Sequence, residues 1–74
     1  MINEPIRNKE ILKVANAIHI GDIIKRNAGG NAFERLMVTG IYPNFVRTRD
    51  ESGYNVCLRW DDVVLKYRKG WISH

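Results

Sequence analysis

Apolar residues near the start of the chain follow a helical repeat. They recur three or four positions apart, at Ile11, Val14, Ala15 and Ile18. With polar residues between them, this spacing predicts an amphipathic helix over about residues 8–18, with Asn8 as a candidate N-cap. A helix of this length is not stable alone, so its apolar stripe must pack on the rest of the chain. Residues 1–7 contain Pro5 and are expected to be frayed.

The next part of the chain has the pattern of short β-strands separated by turn-forming residues. Residues 23–26 and 33–42 are predicted strands, and residues 27–31, with two glycines, form the loop between them. Gly40 lies inside the second strand and predicts a bulge or sharp bend, a feature by which small sheets curl. Because Pro43 cannot occupy a central strand, a turn is expected there.

Residues 45–60 have the pattern of a β-hairpin. The segment Glu51-Ser52-Gly53 suits a three-residue turn with Gly53 in the left-handed conformation. In the resulting register Phe45 pairs with Arg59, Arg47 with Cys57, and Arg49 with Asn55. A slip of one residue would mix apolar and charged side chains on both faces, which a half-buried sheet resists. We therefore expect one apolar face and one face that carries three arginines and Phe45.

The last part of the chain predicts a short helix after Trp60, continuing through Lys69. Asp61 or Asp62 is a candidate cap, and basic residues lie near the predicted end, an arrangement that suits the helix dipole. Gly70 then supplies a stop signal. The segment Val63-Val64-Leu65 also has strand character, which leaves a strand as the alternative, and Trp71-Ile72 is a candidate final strand.

Length and composition narrow the class of protein. A chain of 74 residues suits a single domain, with a helix and tail over residues 1–18 and a small β unit over residues 19–74. Its 45% hydrophobic and 27% charged residues are typical of a folded protein. No apolar run approaches the about 20 residues that span a bilayer, and the polar start does not resemble a secretory signal. We expect a cytoplasmic protein that does not bind membranes.

Several segments together resemble an SH3-like barrel. Residues 20–25 place Gly-Asp before a strand, residues 38–41 contain a glycine kink, and the hairpin follows. The resemblance and the strand pattern imply a mostly β (α+β) fold. We expect a small curled sheet or barrel of four to five short strands, with an N-terminal helix and a short C-terminal helical turn.

The chain also resembles a group of small proteins encoded by phages and mobile elements of Gram-positive bacteria. The resemblance rests on Ile41-Tyr42-Pro43-Asn44-Phe45-Val46, followed by Gly53, Cys57 and Trp60-Asp61. It covers about residues 36–65 and includes no catalytic motif. Asn44 and Leu58 stand where that group usually has histidine and an aromatic residue. The resemblance implies a phage or mobile-element setting and says little about the target.

Charge adds a candidate binding surface. The 12 basic residues exceed the 8 acidic ones, and the basic residues within positions 35–60 are all arginines. Arginine pairs bidentately with phosphate or carboxylate and stacks on flat rings. Strand residues two apart lie roughly 6–7 Å apart on one face, close to the phosphate repeat of an extended nucleic-acid strand. The predicted binding residues are Arg35, Phe45, Arg47, Arg49, Asn55 and Arg59.

Three interpretations of this surface remain open. It binds nucleic acid, it binds an acidic protein surface, or it is a solvated face on which Asp50, Glu51 or Glu34 pairs some arginines. The first predicts a nucleic-acid-binding or regulatory accessory protein of a phage or mobile element. The second predicts an inhibitor of a host enzyme or defence nuclease, that is, an anti-defence (anti-CRISPR-like) protein. In each case we expect a monomer or weak homodimer.

No catalytic, metal or cofactor site is predicted. Cys57 is the single cysteine, so a disulfide within the chain is impossible, and its mid-strand position favours a buried or half-buried structural thiol. Its candidate bases are His19, before a turn, and His74, expected to be disordered at the C-terminus. The two glycines of the first loop lack the Lys-Ser/Thr of a P-loop. We predict a binding protein that is not an enzyme.

Overall fold

A computed structural model of the chain describes residues 7–74. These residues form, in order, α1 (Asn8–Ala17), β1 (Ile23–Gly29), β2 (Ala32–Ile41), β3 (Phe45–Arg49), β4 (Asn55–Arg59), α2 (Trp60–Arg68) and β5 (Ile72–Ser73). The strands make one antiparallel sheet in the order β4-β3-β2-β1-β5. The predicted mostly β (α+β) fold with a helix at each end is confirmed. The sheet stays open, with β4 and β5 as its edges.

Both helices pack on one face of this sheet. α1 contributes Val14 and Ile18 to the core, and α2 contributes Val63 and Val64. They meet the buried side chains of the strands, which are Ile24, Leu36, Val38, Val46 and Leu58. Full burial of such a side chain stabilises a fold by about 1.5–3 kcal/mol. The short helices therefore owe their stability to this shared core and leave the other face of the sheet uncovered by any described helix.

α1 begins without a side-chain cap. Arg7 occupies the N-cap position in an extended conformation, and its carbonyl accepts hydrogen bonds from the backbone N–H groups of Glu10 and Ile11. The expectation that Asn8 is the cap is therefore wrong, because the first turn already starts at Asn8. Of the segment expected to be frayed, residues 1–6 lie outside the described part of the chain.

The β1–β2 hairpin is longer than the sequence pattern indicates. Its turn is tight because Gly29 and Gly30 both have positive φ, at 111° and 57°, a conformation that glycine adopts without steric cost. Asn27 and Gly29, which were expected to lie in a loop, are therefore paired with Phe33 and Ala32, and Lys25 lies opposite Arg35.

The bulge predicted at Gly40 is present in β2. Its pairing with β3 shifts between Val38 and Gly40. The ring of Tyr42 packs over Gly40 so closely that a Cβ atom there would lie 2.5 Å from it. Glycine is therefore required for this contact, which places an aromatic ring beside the bulge.

The register predicted for the β3–β4 hairpin is confirmed at the five pairs between the two strands, including Phe45 with Arg59 and Arg47 with Cys57. Gly53 has a φ of 92°, the left-handed conformation that the turn requires. The Asp50 carboxylate accepts backbone hydrogen bonds from both Ser52 and Tyr54 at 2.9 Å. The turn is thus fixed by local chemistry that is readable in the sequence.

α2 is a helix, so the alternative strand at residues 63–65 is wrong. Arg59 is its N-cap residue, with no side-chain capping bond, and Asp61 and Asp62 lie in the first turn. Neither aspartate caps the helix as expected, although both carboxylates suit the positive end of its dipole. Gly70 follows the helix with a φ of 74°, and β5 then pairs with β1. Within residues 7–74 neither helix has the length and apolar character needed to cross a bilayer.

An ion pair joins the two helices. The Arg68 guanidinium donates to both carboxylate oxygens of Glu10, at 2.7 Å from Nε and 2.5 Å from the terminal nitrogen. These hydrogen bonds, with a smaller contribution from the charge of Lys13, hold the pKa of Glu10 below its usual range. Residues 58 positions apart are thereby linked on the helical side of the molecule.

The sheet is curled although it is not closed. Arg26 on β1 and Leu58 on β4 line the same depression of about 460 Å³, even though two strands lie between theirs in the sheet. The bulge in β2 accounts for part of this bend, since bulges increase local twist. The curl makes the two faces of the sheet unequal, with the core on the helical side.

Candidate nucleic-acid interface

The candidate site is the face of the sheet that points away from the helices, which we call the open face. Side chains alternate between the two faces along a strand. Because Ile24, Leu36, Val46 and Leu58 face the core, their neighbours face outward. The open face comprises Ile23, Lys25, Asn27, Phe33, Arg35, Met37, Phe45, Arg47, Arg49, Asn55, Cys57, Arg59 and Trp71. All six predicted binding residues lie on it.

The charged strand residues of the open face are all basic. Its charged residues are Lys25, Arg35, Arg47, Arg49 and Arg59, and none of its residues is acidic. The nearest acids in the sequence lie at its margins: Asp50 and Glu51 at the tip of the β3–β4 hairpin, and Asp61 after β4. A surface of one sign attracts polyanions over a range of about 10 Å at moderate ionic strength.

Two arginines at the centre of the open face are unengaged. Within residues 7–74 the guanidinium groups of Arg35 and Arg49 form no hydrogen bond or ion pair; Glu51 reaches only the backbone N–H of Arg35, at 3.3 Å. Both arginines line a depression of about 230 Å³, together with Met37 and, at the hairpin end, the acidic residues Asp50 and Glu51. Their donor groups are available to a bound anion.

Arg47 is held more tightly than the sequence pattern indicates. Its Nε donates to the Thr39 hydroxyl and a terminal nitrogen donates to the Thr39 carbonyl, both at 3.2 Å. The guanidinium carbon also lies 5.6 Å from the centre of the Tyr42 ring, which stacks on Phe45 at 4.8 Å. Arg47 and Phe45 are both half-buried. Arg47 and Phe45 therefore form one border of the open face. The remaining N–H groups of the Arg47 guanidinium can still donate to a ligand.

Arg59 and Asn55 lie on the edge strand β4. Arg59 is exposed and forms an ion pair with Asp61 at 3.4 Å, a surface contact of small energy that a stronger anion can replace. Asn55 is exposed directly opposite Arg49. Both residues therefore extend the polar surface of the open face to the edge of the sheet.

A cluster of aromatic and basic residues completes the open face and was missed by the sequence analysis. Phe33 is 50% exposed and meets Trp71 edge to face, with ring centres 5.4 Å apart. The Lys25 ammonium lies 5.2 Å from the centre of Phe33, and that of Lys69 lies 4.6 Å from the centre of Trp71. The two glycines could have predicted this cluster. A tight turn at Gly29-Gly30 sets the register of β1 and β2 and pairs Lys25 with Arg35.

The aromatic cluster and the central arginines adjoin one another. A second depression, of about 180 Å³, is lined by Lys25, Arg35 and Trp71, among others. It shares Ile23 and Arg35 with the depression at Arg49. Adjacent strands lie about 4.8 Å apart, so cations follow a diagonal path from β1 towards β4. This path suits a flexible anionic chain better than a compact small molecule.

The structure does not bring the candidate nucleophile and bases together. Cys57 is exposed on the edge strand β4, so the expectation of a buried or half-buried thiol is wrong; its side chain points to the open face, away from the core. His19 precedes β1 and His74 follows β5, at the other side of the sheet. His74, expected to be disordered, lies 2.9 Å from the Asp22 carboxylate.

Searches against protein-family models, curated proteins and solved structures found no significant match to this chain. The resemblance to phage and mobile-element proteins therefore stays a prediction from the residues.

Proposed function

We propose that this protein is a non-catalytic module that binds single-stranded nucleic acid on the open face, as an accessory or regulatory protein of a phage or mobile element. The observation that carries the proposal is the collection of five cations on the one face of the sheet that no described helix covers, with acidic residues only at its margins. The mobile-element setting rests on the resemblance of residues 36–65 alone.

A single strand fits this face for two reasons. Phosphates require long cationic side chains along a groove, and unpaired bases gain about 1–3 kcal/mol each by stacking on aromatic rings. Arg35 and Arg49 supply unengaged guanidinium groups, and Phe33 supplies an exposed ring beside them. In duplex nucleic acid the bases are already stacked on one another, so the rings would contribute little.

The dimensions of the domain limit the length of strand that it covers. Its longest extent is 33 Å, and extended nucleotides repeat every roughly 6–7 Å. The open face therefore accommodates at most about five nucleotides. If all five cations contact phosphate, the slope of log affinity against log salt is about −3.5, and affinity falls about 100-fold between 50 and 200 mM salt.

The test is a fluorescence anisotropy titration with labelled single-stranded RNA, single-stranded DNA and a DNA duplex at several salt concentrations. The double variant Arg35→Gln/Arg49→Gln should weaken single-strand binding at least about tenfold at 50 mM salt and reduce the salt slope by about 1.4. The control Lys9→Gln/Lys13→Gln removes the same charge from the exposed side of α1 and should change both quantities far less.

An acidic protein surface is the competing target. Arginine and aromatic residues are favoured anchors in protein interfaces, and Met37 and Tyr54 are exposed near the arginines. Failure of all three nucleic acids to bind at 50 mM salt contradicts the nucleic-acid proposal and favours an inhibitor that docks on a host protein. Equal losses in the two double variants also contradict it, since the open face would then have no special role.

A further inference from the structure

Two histidines and a buried aspartate meet beside the end of the chain. β5 pairs with β1 so that Ser73 lies opposite Ile23, which brings the next residue, His74, to Asp22. His19 lies three positions before Asp22, in the segment between α1 and β1. Residues separated by up to 55 positions are thus gathered at one place that belongs neither to the open face nor to the core. We propose that His19, Asp22 and His74 bind a divalent transition-metal ion, with Zn²⁺ as the representative ion.

The distances suit coordination. The Asp22 Oδ2 atom lies 2.9 Å from His74 Nδ1 and 3.9 Å from His19 Nδ1, and one donor atom from each residue falls within 4.8 Å of the others. Zinc bonds of about 2.0–2.2 Å in a tetrahedral site place neighbouring donor atoms roughly 3.3–3.5 Å apart. The two measured separations bracket this range. The histidine side chains are 70% and 67% exposed, so both rings are accessible to an ion from solvent.

The carboxylate is held in place before any ion binds. The Asp22 side chain is 7% exposed, and its Oδ2 accepts the backbone N–H of His19 at 2.8 Å. Among the described residues its ion-pair partners are the two histidines. A buried carboxylate without a lysine or arginine beside it gains from a bound cation, because burial penalises an unpaired charge. The two rings lie edge to face across it, with centres 6.0 Å apart.

The donor set selects the class of ion. Imidazole nitrogen suits zinc, copper, nickel and iron, whereas magnesium and calcium prefer oxygen donors throughout. Three protein donors leave a fourth tetrahedral position for water or an external ligand. Ion binding also ties the two-residue strand β5 to the segment before β1, so it should stabilise the fold as well as occupy the site.

The experiment is calorimetric titration of Zn²⁺ into EDTA-treated protein without an affinity tag, together with thermal unfolding. We expect one ion per chain and a rise in Tm of about 10 °C or more at a hundredfold excess over Kd. His19→Gln and His74→Gln should each weaken binding at least about tenfold, and magnesium should not compete. Cys57→Ser is the control, and it should leave the Kd unchanged.

Both glutamine variants alter exposed rings, so circular dichroism should show that each folds. Asp22→Asn is a third variant that should lose binding. Its side-chain amide oxygen can still accept the hydrogen bond from the backbone N–H of His19. The proposal is overturned by an absence of saturable uptake up to about 1 mM Zn²⁺, by binding that survives both histidine substitutions, or by binding that Cys57→Ser abolishes.

Discussion

The two faces of the sheet differ in how far their cations are paired with acids. On the helical side three cations are paired, namely Arg26 with Glu34, Arg68 with Glu10, and Lys66 with Asp62, whereas Lys9 and Lys13 on α1 form no ion pair within residues 7–74. On the open face Arg35 and Arg49 have no such partner among the described residues. A net charge of +4 is modest for a whole chain, but three ion pairs on the helical side leave the larger group of neighbouring cations on the open face. The distribution of charge therefore says more about a binding partner than the total does.

The largest expected effect is on stability, and it tests whether the helical face is packed more tightly than the open face. Leu36 and Met37 are neighbours on β2; Leu36 is fully buried, whereas Met37 is 41% exposed on the open face. Leu36→Ala should lower the free energy of unfolding by about 2–5 kcal/mol, because it leaves a cavity in the core. Met37→Ala should cost less than about 1 kcal/mol. Urea denaturation of the two variants measures both values, and equal losses would show that the open face is packed against something.

The sequence predicts the β3–β4 side of the molecule well because the relevant information is local. A left-handed glycine, an aspartate that accepts two turn hydrogen bonds and strict alternation all define one register. The burial of the apolar stripe of α1 is predictable for the same reason, because it follows from the spacing of apolar residues along that helix alone.

The parts that the sequence analysis missed depend on contacts between distant segments. Arg47 is held by Thr39, which lies on a different strand at the point where the pairing of β2 with β3 shifts. His74 reaches Asp22 through strand pairing across 52 positions. The aromatic cluster was missed for a different reason. The loop predicted at residues 27–31 is longer than the actual turn, so the prediction did not pair Lys25 with Arg35.

The second effect concerns affinity rather than stability. Phe33→Ala should weaken single-strand binding by about 1–3 kcal/mol, because a stacked base loses its platform, and the salt slope should stay the same since no charge is removed. Tyr54→Ala, which alters an exposed ring at the hairpin tip, is the matched control. Anisotropy titrations measure both. If the control loses as much affinity as Phe33→Ala, the aromatic cluster has no special role.

A smaller effect tests the paired and unpaired cations directly. Arg26→Gln breaks its ion pair with Glu34 on the helical side and should lower the free energy of unfolding by about 0.5 kcal/mol, since the pair is partly exposed. Arg49→Gln breaks no ion pair and should leave stability within about 0.5 kcal/mol of the original. The effects on nucleic-acid binding should be the opposite of those on stability. Arg49→Gln should reduce the slope of log affinity against log salt by about 0.7, and Arg26→Gln should leave it unchanged. A loss of binding in Arg26→Gln would place the ligand on the helical side.

The smallest effect is a pH dependence at the contact between the helices. Hydrogen bonds from Arg68 lower the pKa of Glu10 in the folded protein, so the folded state binds this proton less readily than the unfolded state. The ion pair therefore stabilises the fold above the ordinary glutamate pKa of about 4.3, and its contribution disappears as the pH falls through the lower pKa of the folded protein. Glu10→Gln should destabilise the protein at pH 7 and converge with the original chain at acidic pH. Thermal unfolding between pH 7 and pH 3 measures this difference, with Glu51→Gln at the hairpin tip as the control for loss of one negative charge. A difference that grows on acidification would mean that Glu10 acts through packing and not through its charge.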